Sequence, residues 1–113
     1  MAMVDTSELK RFSVWAVDLN PTKGSEQAGY RSVLVLSPDE LNTNLRTVIV
    51  APMTTSLRQW PTRVNVNHSN KSGDVAIDQL RTIDKQRLVK SMGMLEKKYH
   101  KKILRVLSDL FAE

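Results

Sequence analysis

Apolar residues fall along the chain in short blocks with a period near two, and the period changes only at the end. Phe12 to Leu19 is rich in β-branched and aromatic residues and predicts a strand. Asn20 to Gly29 is polar, with one Pro and two Gly, and predicts a loop of ten residues. That exceeds what a hairpin needs, and long ordered loops in small domains are often functional. Val33 to Leu36 is an unbroken apolar run and predicts a buried strand. Ser37 to Asn42 predicts a helical turn with Ser37 as cap and Pro38 at the first position. Thr47 to Ala51 predicts a strand ended by Pro52, after which Met53 leads into a loop through Trp60 and Pro61. Arg63 to Val66, Asp74 to Leu80 and Leu88 to Met94 predict three more strands. Asn67 to Gly73 reads as a turn-rich loop, and Asp84-Lys85 as a connection. From Leu95 the spacing becomes helical: Tyr99, Ile103, Val106, Leu107 and Leu110 share a face, with the lysines largely elsewhere. Met1 to Lys10 has no pattern and is expected to be a loose or partly docked arm. Five or six short strands closed by one helix predict a small, strongly bent sheet or barrel.

A chain of 113 residues fits one domain spanning 1–113. It contains no cysteine, so disulfides, thiolate metal sites and a cysteine nucleophile are excluded. No apolar stretch approaches the roughly 20 residues that span a bilayer, and Met1 to Leu9 lacks the basic start and apolar run of a signal peptide. A cytoplasmic protein with no membrane partner is the resulting expectation. The net charge of +5 is uneven. Residues 1–56 carry five basic and six acidic groups, whereas residues 57–113 carry twelve and six, a net of +6. Such a half attracts polyanions: RNA, DNA or an acidic protein segment.

Candidate chemistry narrows by residue type. His68 lies among Asn and Ser, and His100 lies within a lysine-rich segment, so neither suits a histidine-pair ribonuclease. No His/carboxylate spacing of a known metal site is present, so no metal and no cofactor are expected. Trp15 reads as core or interface, and Trp60, in a loop, as a surface on which a base could stack. The lysines of the last segment read as solvated.

Three blocks carry a specific resemblance. Val17-Asp18-Leu19-Asn20-Pro21-Thr22-Lys23-Gly24-Ser25-Glu26-Gln27-Ala28-Gly29, followed by Arg31 and Val33 to Pro38, resembles the first-loop signature of MazF/PemK toxins. Val50 to Thr55 and Asp78 to Leu88 match the family's second and third blocks in order and spacing. The similarity runs from about Phe12 to the C-terminal helix. Two positions depart from it: Phe12-Ser13 stand where the family has Gly and an acidic residue, and Ser32 stands where it has Pro. Ser32 restores a backbone donor and frees the residue before it, which bears on how Arg31 is held.

The resemblance implies a mainly β fold, an SH3-like β-barrel with a C-terminal helix, assembled as a homodimer. It implies a metal-independent endoribonuclease acting on single-stranded RNA and neutralised by a cognate acidic antitoxin. Arg31, Thr54 and Glu26 are the catalytic residues it suggests, and Lys23, Ser25, Gln27, Thr55, Trp60 and Gln79 the RNA-binding ones. Attack of a ribose 2′-hydroxyl on its own phosphodiester requires stabilisation of extra negative charge on phosphorus. The planar, permanently charged fork of Arg31 suits that task, and Thr54 adds a hydroxyl donor. Glu26 could orient Arg31 or the 2′-hydroxyl, or act as the base. Gln79 could read a base edge or support the dimer. A rival of the same fold, the CcdB-type gyrase poison, ends in Trp-Gly-Ile, while this chain ends Leu110-Phe111-Ala112-Glu113. An inactive member acting only as a basic binding module is the remaining alternative.

Overall fold

The computed structural model describes residues 5–19 and 30–112. Within them the strands are β1 (Ser13–Asp18), β2 (Tyr30–Val35), β3 (Thr47–Thr54), β4 (Arg63–His68), β5 (Lys71–Ala76), β6 (Arg81–Asp84) and β7 (Leu88–Met94). A short helix α1 (Asp39–Asn44) follows β2, and α2 (His100–Leu110) closes the chain. The strands form one antiparallel sheet in the order β4-β5-β3-β2-β1-β7, with β6 also paired to β3. The sheet curls so far that its two outer strands approach each other. His68, at the end of β4, places Nε2 2.7 Å from the carbonyl oxygen of Met92 in β7. A carbonyl only accepts, so that nitrogen donates. The expected barrel is therefore present in half-closed form, pinned across its seam by a side chain.

The unbroken apolar run in β2 follows from burial on both faces. Val33 and Val35 pack with Trp15, Val17, Val48, Val50 and Leu88. Leu34 and Leu36 face the other way, into a cluster with Val14, Ala51, Val64, Val75 and Ile103. A strand covered on one side would alternate; this one cannot. Trp15 is fully buried and donates its indole N–H to Ser13 Oγ at 3.0 Å, which settles it as core. Helix α2 lies over the second cluster through Ile103, with Val106 and Leu107 packed beside it. His100 stacks on Phe12 with centroids 3.7 Å apart and places Nε2 3.0 Å from the Leu95 carbonyl oxygen. Both histidines thus hold the fold.

Several local expectations are corrected. β3 does not end at Pro52 but runs to Thr54. One edge of β3 pairs with β6 from Thr47 to Val50 and with β5 at Met53 and Thr54. Pro52 falls where that edge changes partner, the kind of break at which a residue without an N–H is tolerated. Ser37 does not cap α1: its hydroxyl donates to Asn42 Oδ1 and accepts the Ile49 N–H at 3.1 Å, tying the helix to β3. The segment expected as one strand from Asp74 to Leu80 leaves the sheet after Ala76 and turns as a single 3-10 turn over Ile77–Gln79. The connection expected around Asp84-Lys85 contains a further strand, Arg81–Asp84, paired with β3. The turn-rich segment after Asn67 is a tight hairpin, with Ser69 and Asn70 at φ 52° and 65°. The arm is partly docked, one of its two expected states: Leu9 is buried against the Trp15 side of the core, while residues 5–8 and 10 are exposed.

A candidate phosphate-binding pocket

Arg31 sits in the first turn of the β2 ladder, opposite Val17 of β1, with its side chain exposed. The β2–β3 register runs Val35↔Val50, Leu34↔Ala51, Val33↔Pro52. Continued two residues further, it sets Arg31 opposite Thr54. Side chains directly opposite on antiparallel strands share a face. Arg31 and Thr54 do line one pocket, together with Gln79, Ser56, Arg58 and Arg63. Ser32 and Met53, one step along each strand, line an adjoining, mostly apolar hollow with Thr55, Lys71 and Met92, and Thr54 borders both.

Thr54 Oγ1 accepts the Ser56 N–H at 3.1 Å. That bond fixes the oxygen's acceptor side and leaves its proton to be given to a ligand. Gln79 enters the pocket because the chain turns after Ala76; as a strand residue at that point it would have continued along the sheet. Its neighbour Asp78 stays outside the pocket and grips Arg63, with Nε to Oδ1 at 2.8 Å, while Thr62 Oγ1 donates to the same oxygen at 3.0 Å. Burial pushes the Asp78 carboxyl up, but the Arg63 and Thr62 hydrogen bonds outweigh it, and the group titrates below its ordinary value. Trp60 covers Arg63, whose guanidinium carbon lies 4.8 Å from the ring centroid. The Arg63 side chain is only 6% exposed, so its charge is fully engaged.

The pocket therefore holds two guanidiniums, Arg31 and Arg58, that form no ion pair with any described residue. It also holds a hydroxyl donor and an amide. No group of three His, Cys, Asp or Glu able to hold a metal occurs among the described residues. What this set can do is bind an oxyanion through charge-assisted hydrogen bonds. Of the expected site residues, Arg31, Thr54 and Gln79 are brought together. Thr55 faces the neighbouring hollow, and Trp60 lies beyond Arg63, half exposed. Lys23, Ser25, Glu26 and Gln27 lie outside the described residues. Ser32 Oγ lies 3.8 Å from Met92 Sδ, and Ser32 pairs with Ala16 in the ladder, so Arg31 leaves from regular strand backbone. Ser56, Arg58 and Arg63 had not been singled out; the one signal was basic residues interleaved with Trp60 between Thr55 and Val64.

Similar sequences and the same fold recur in known proteins. The Endoribonuclease MazF of Staphylococcus saprophyticus is 35% identical over 101 residues, covering 84% of this chain and 84% of that protein. Endoribonuclease EndoA of Bacillus subtilis is 37% identical over 94 residues, covering 78% and 81%. Among solved structures, a MazE–MazF complex from Deinococcus radiodurans superposes with a TM-score of 0.77 at 25% identity, over 89% of this chain and 93% of that one. A mycobacterial endoribonuclease in complex with its cognate antitoxin gives 0.76 at 26%, over 88% and 91%. The family model for the PemK-like, MazF-like toxin of type II toxin–antitoxin systems matches residues 10–111, and the chain belongs to that family.

Proposed function

We propose that this protein is an endoribonuclease toxin that cuts single-stranded RNA at a short sequence without a metal ion. The observation that carries the reading is the convergence of Arg31 and Thr54 from facing strands into one pocket that is rich in guanidinium and open to solvent. The relatives named as endoribonucleases support it. In the reaction the 2′-oxygen attacks its own phosphorus, the bond to the 5′-oxygen breaks, and the products carry a 2′,3′-cyclic phosphate and a 5′-hydroxyl. The 2′-proton passes to a base and the 5′-oxygen gains a proton. Arg31 holds the non-bridging oxygens as their charge rises, and Thr54 donates a further hydrogen bond. Glu26 takes the 2′-proton, or orients Arg31 or the 2′-hydroxyl.

The protein acts in the cytoplasm as a single 1–113 domain paired in a homodimer, and Lys23, Ser25, Gln27, Thr55, Trp60 and Gln79 extend the RNA contact. A cognate antitoxin with an acidic segment neutralises it, as the antitoxin complexes of its structural relatives suggest. Carboxylate and phosphate ask the same geometry of a guanidinium, so antitoxin and RNA compete at Arg31. The deciding experiment is incubation with a long RNA in excess EDTA, with mapping of the new 5′ ends. Cleavage should persist, leave 5′-hydroxyl ends, and stop when the cut nucleotide carries a 2′-O-methyl group. Strict dependence on Mg²⁺, or cutting of the methylated RNA, refutes the mechanism.

A further inference from the structure

Arg58 stands on the loop that joins β3 to β4, and that loop is held by a carboxylate that forms no ion pair with a described residue. Asp74 is 2% exposed and lies opposite Thr54 in β5. Its Oδ2 accepts the backbone N–H of Arg58 at 2.9 Å, and its Oδ1 accepts from Asn65 Nδ2 at 3.3 Å. Burying a carboxylate without an ion pair is costly, so the bonds it accepts must be ones the fold needs. The residue after Arg58 shows the same constraint. Gln59 has φ 57°, a left-handed backbone unfavourable for a side chain with a Cβ. It is trapped between two anchors: Asp74 on the Arg58 N–H, and the Trp60 carbonyl accepting the Arg63 N–H at 3.0 Å. The outcome of this strained, pinned turn is the position of one side chain. Arg58 is exposed, lies 5.7 Å from the Trp60 ring centroid, and lines the pocket of Arg31 and Thr54.

We propose that Arg58 is a second RNA-binding guanidinium, which takes a phosphate oxygen beside Arg31, and that Asp74 is the positioning residue that presents it. The inference rests on the RNA-cleaving reading above. Asp78 commits Arg63 to the fold and Asp74 leaves the Arg58 guanidinium free, so two neighbouring carboxylates sort two arginines into a structural and a ligand-binding one.

The test uses the full chain and, as probe, a labelled single-stranded RNA spanning a mapped cut site with every nucleotide 2′-O-methylated. Arg58→Ala should weaken binding about 10- to 100-fold, the loss of one charged hydrogen-bonding partner. It should also flatten the slope of log affinity against log salt by about 0.7, one phosphate contact on a single strand. Asp74→Val, which fills the volume and suits a buried strand but accepts nothing, should weaken binding to a similar extent. It should add nothing in an Arg58→Ala background, and Asp74→Asn, which keeps an acceptor for the Arg58 N–H, should restore most of the loss. Unchanged affinity and salt slope in Arg58→Ala, with Arg31→Ala impaired, overturns the second guanidinium and leaves the function standing. Losses from Asp74→Val and Arg58→Ala that multiply overturn the positioning role. If neither arginine variant changes binding or cleavage, the RNA-cleaving reading itself has failed. Should Asp74→Val show no thermal transition, Asp74→Ala, which also accepts nothing, takes its place in the cycle with Arg58→Ala under the same criterion.

Discussion

Replacing Arg31 separates chemistry from folding more cleanly than any other change in the pocket. Its backbone is held in the β1–β2 ladder opposite Val17, and its side chain is exposed and in no ion pair with a described residue. Arg31→Ala therefore leaves no buried group without a partner. An exposed substitution of this kind changes stability by about 0.5 kcal/mol or less, which for a domain of this size moves the melting temperature by roughly 2–3 °C. Loss of one preorganised donor to a developing oxyanion costs ~10²–10³ in rate, or about 2.7–4 kcal/mol of barrier. Arg31→Lys keeps the charge and loses the second prong of the fork. A charged hydrogen bond contributes about 1.5–3 kcal/mol, so Lys should stay ~10-fold or more below the wild type. The assay is single-turnover cleavage of an RNA with a mapped site, with each variant's melting curve beside it. In the proposed reaction the charge grows as the 2′-oxygen attacks, so the deficit belongs in kcat and not only in KM. An Arg31→Ala protein that melts normally and cuts at near the wild-type rate would show that the pocket is not the reacting site.

Three further outcomes follow from the same geometry. Thr54→Val removes the hydroxyl that accepts the Ser56 N–H and faces the ligand, and should slow single-turnover cleavage by less than Arg31→Ala, since the lost donor is neutral. A Cβ added at Gly73 would lie 3.1 Å from the Thr54 carbonyl oxygen, so Gly73→Ala pushes on β3 at Thr54; the cleavage rate should fall by a larger factor than the folding constant from denaturant titration. The lowered Asp78 carboxyl gives a stabilisation present above the ordinary carboxylate value, near ~3.9, and lost as pH falls through the lower folded one; Asp78→Asn should be less stable than wild type at neutral pH, with the gap closing below about pH 4, and a gap independent of pH would contradict the Asp78–Arg63 assignment.

Elements whose residues carry a periodic apolar pattern were legible in the chain, and those placed by tertiary contacts were not. β1, β2 and α2 announced themselves because Val14 to Val17, Val33 to Leu36 and Ile103 to Leu107 supply the core. β6 stayed hidden because only Ile83 of its four residues is buried. The turn at Ile77 was masked because Val75, Ala76 and Ile77 are all buried and read as one strand, although only the first two belong to it. In the pocket, Arg31 and Thr54 were found through the family pattern and then joined by register. Arg58 carried no such signal: its place depends on a carboxylate sixteen residues away, a contact with no periodicity to reveal it.

The pocket's location follows from the way the sheet bends. β3 is paired with β2 as far as Pro52, and from Met53 its register lies with β5. The partner change is on the other edge of β3, which passes from β6 to β5 across Pro52, so the end of β3 lies between the start of β2 and β5. Arg31 stands near the start of β2 and Thr54 at the end of β3, next to the buried stretches Val33 to Val35 and Val50 to Pro52 of the same strands. Their spacing is therefore set by the most rigid part of the molecule, while the loop after Thr54 brings a further cation to the rim under control of Asp74. A binding group placed by a rigid strand pays little conformational entropy when it meets a ligand. The strands that build the curled sheet thus fix the charges that a phosphate in this pocket would meet.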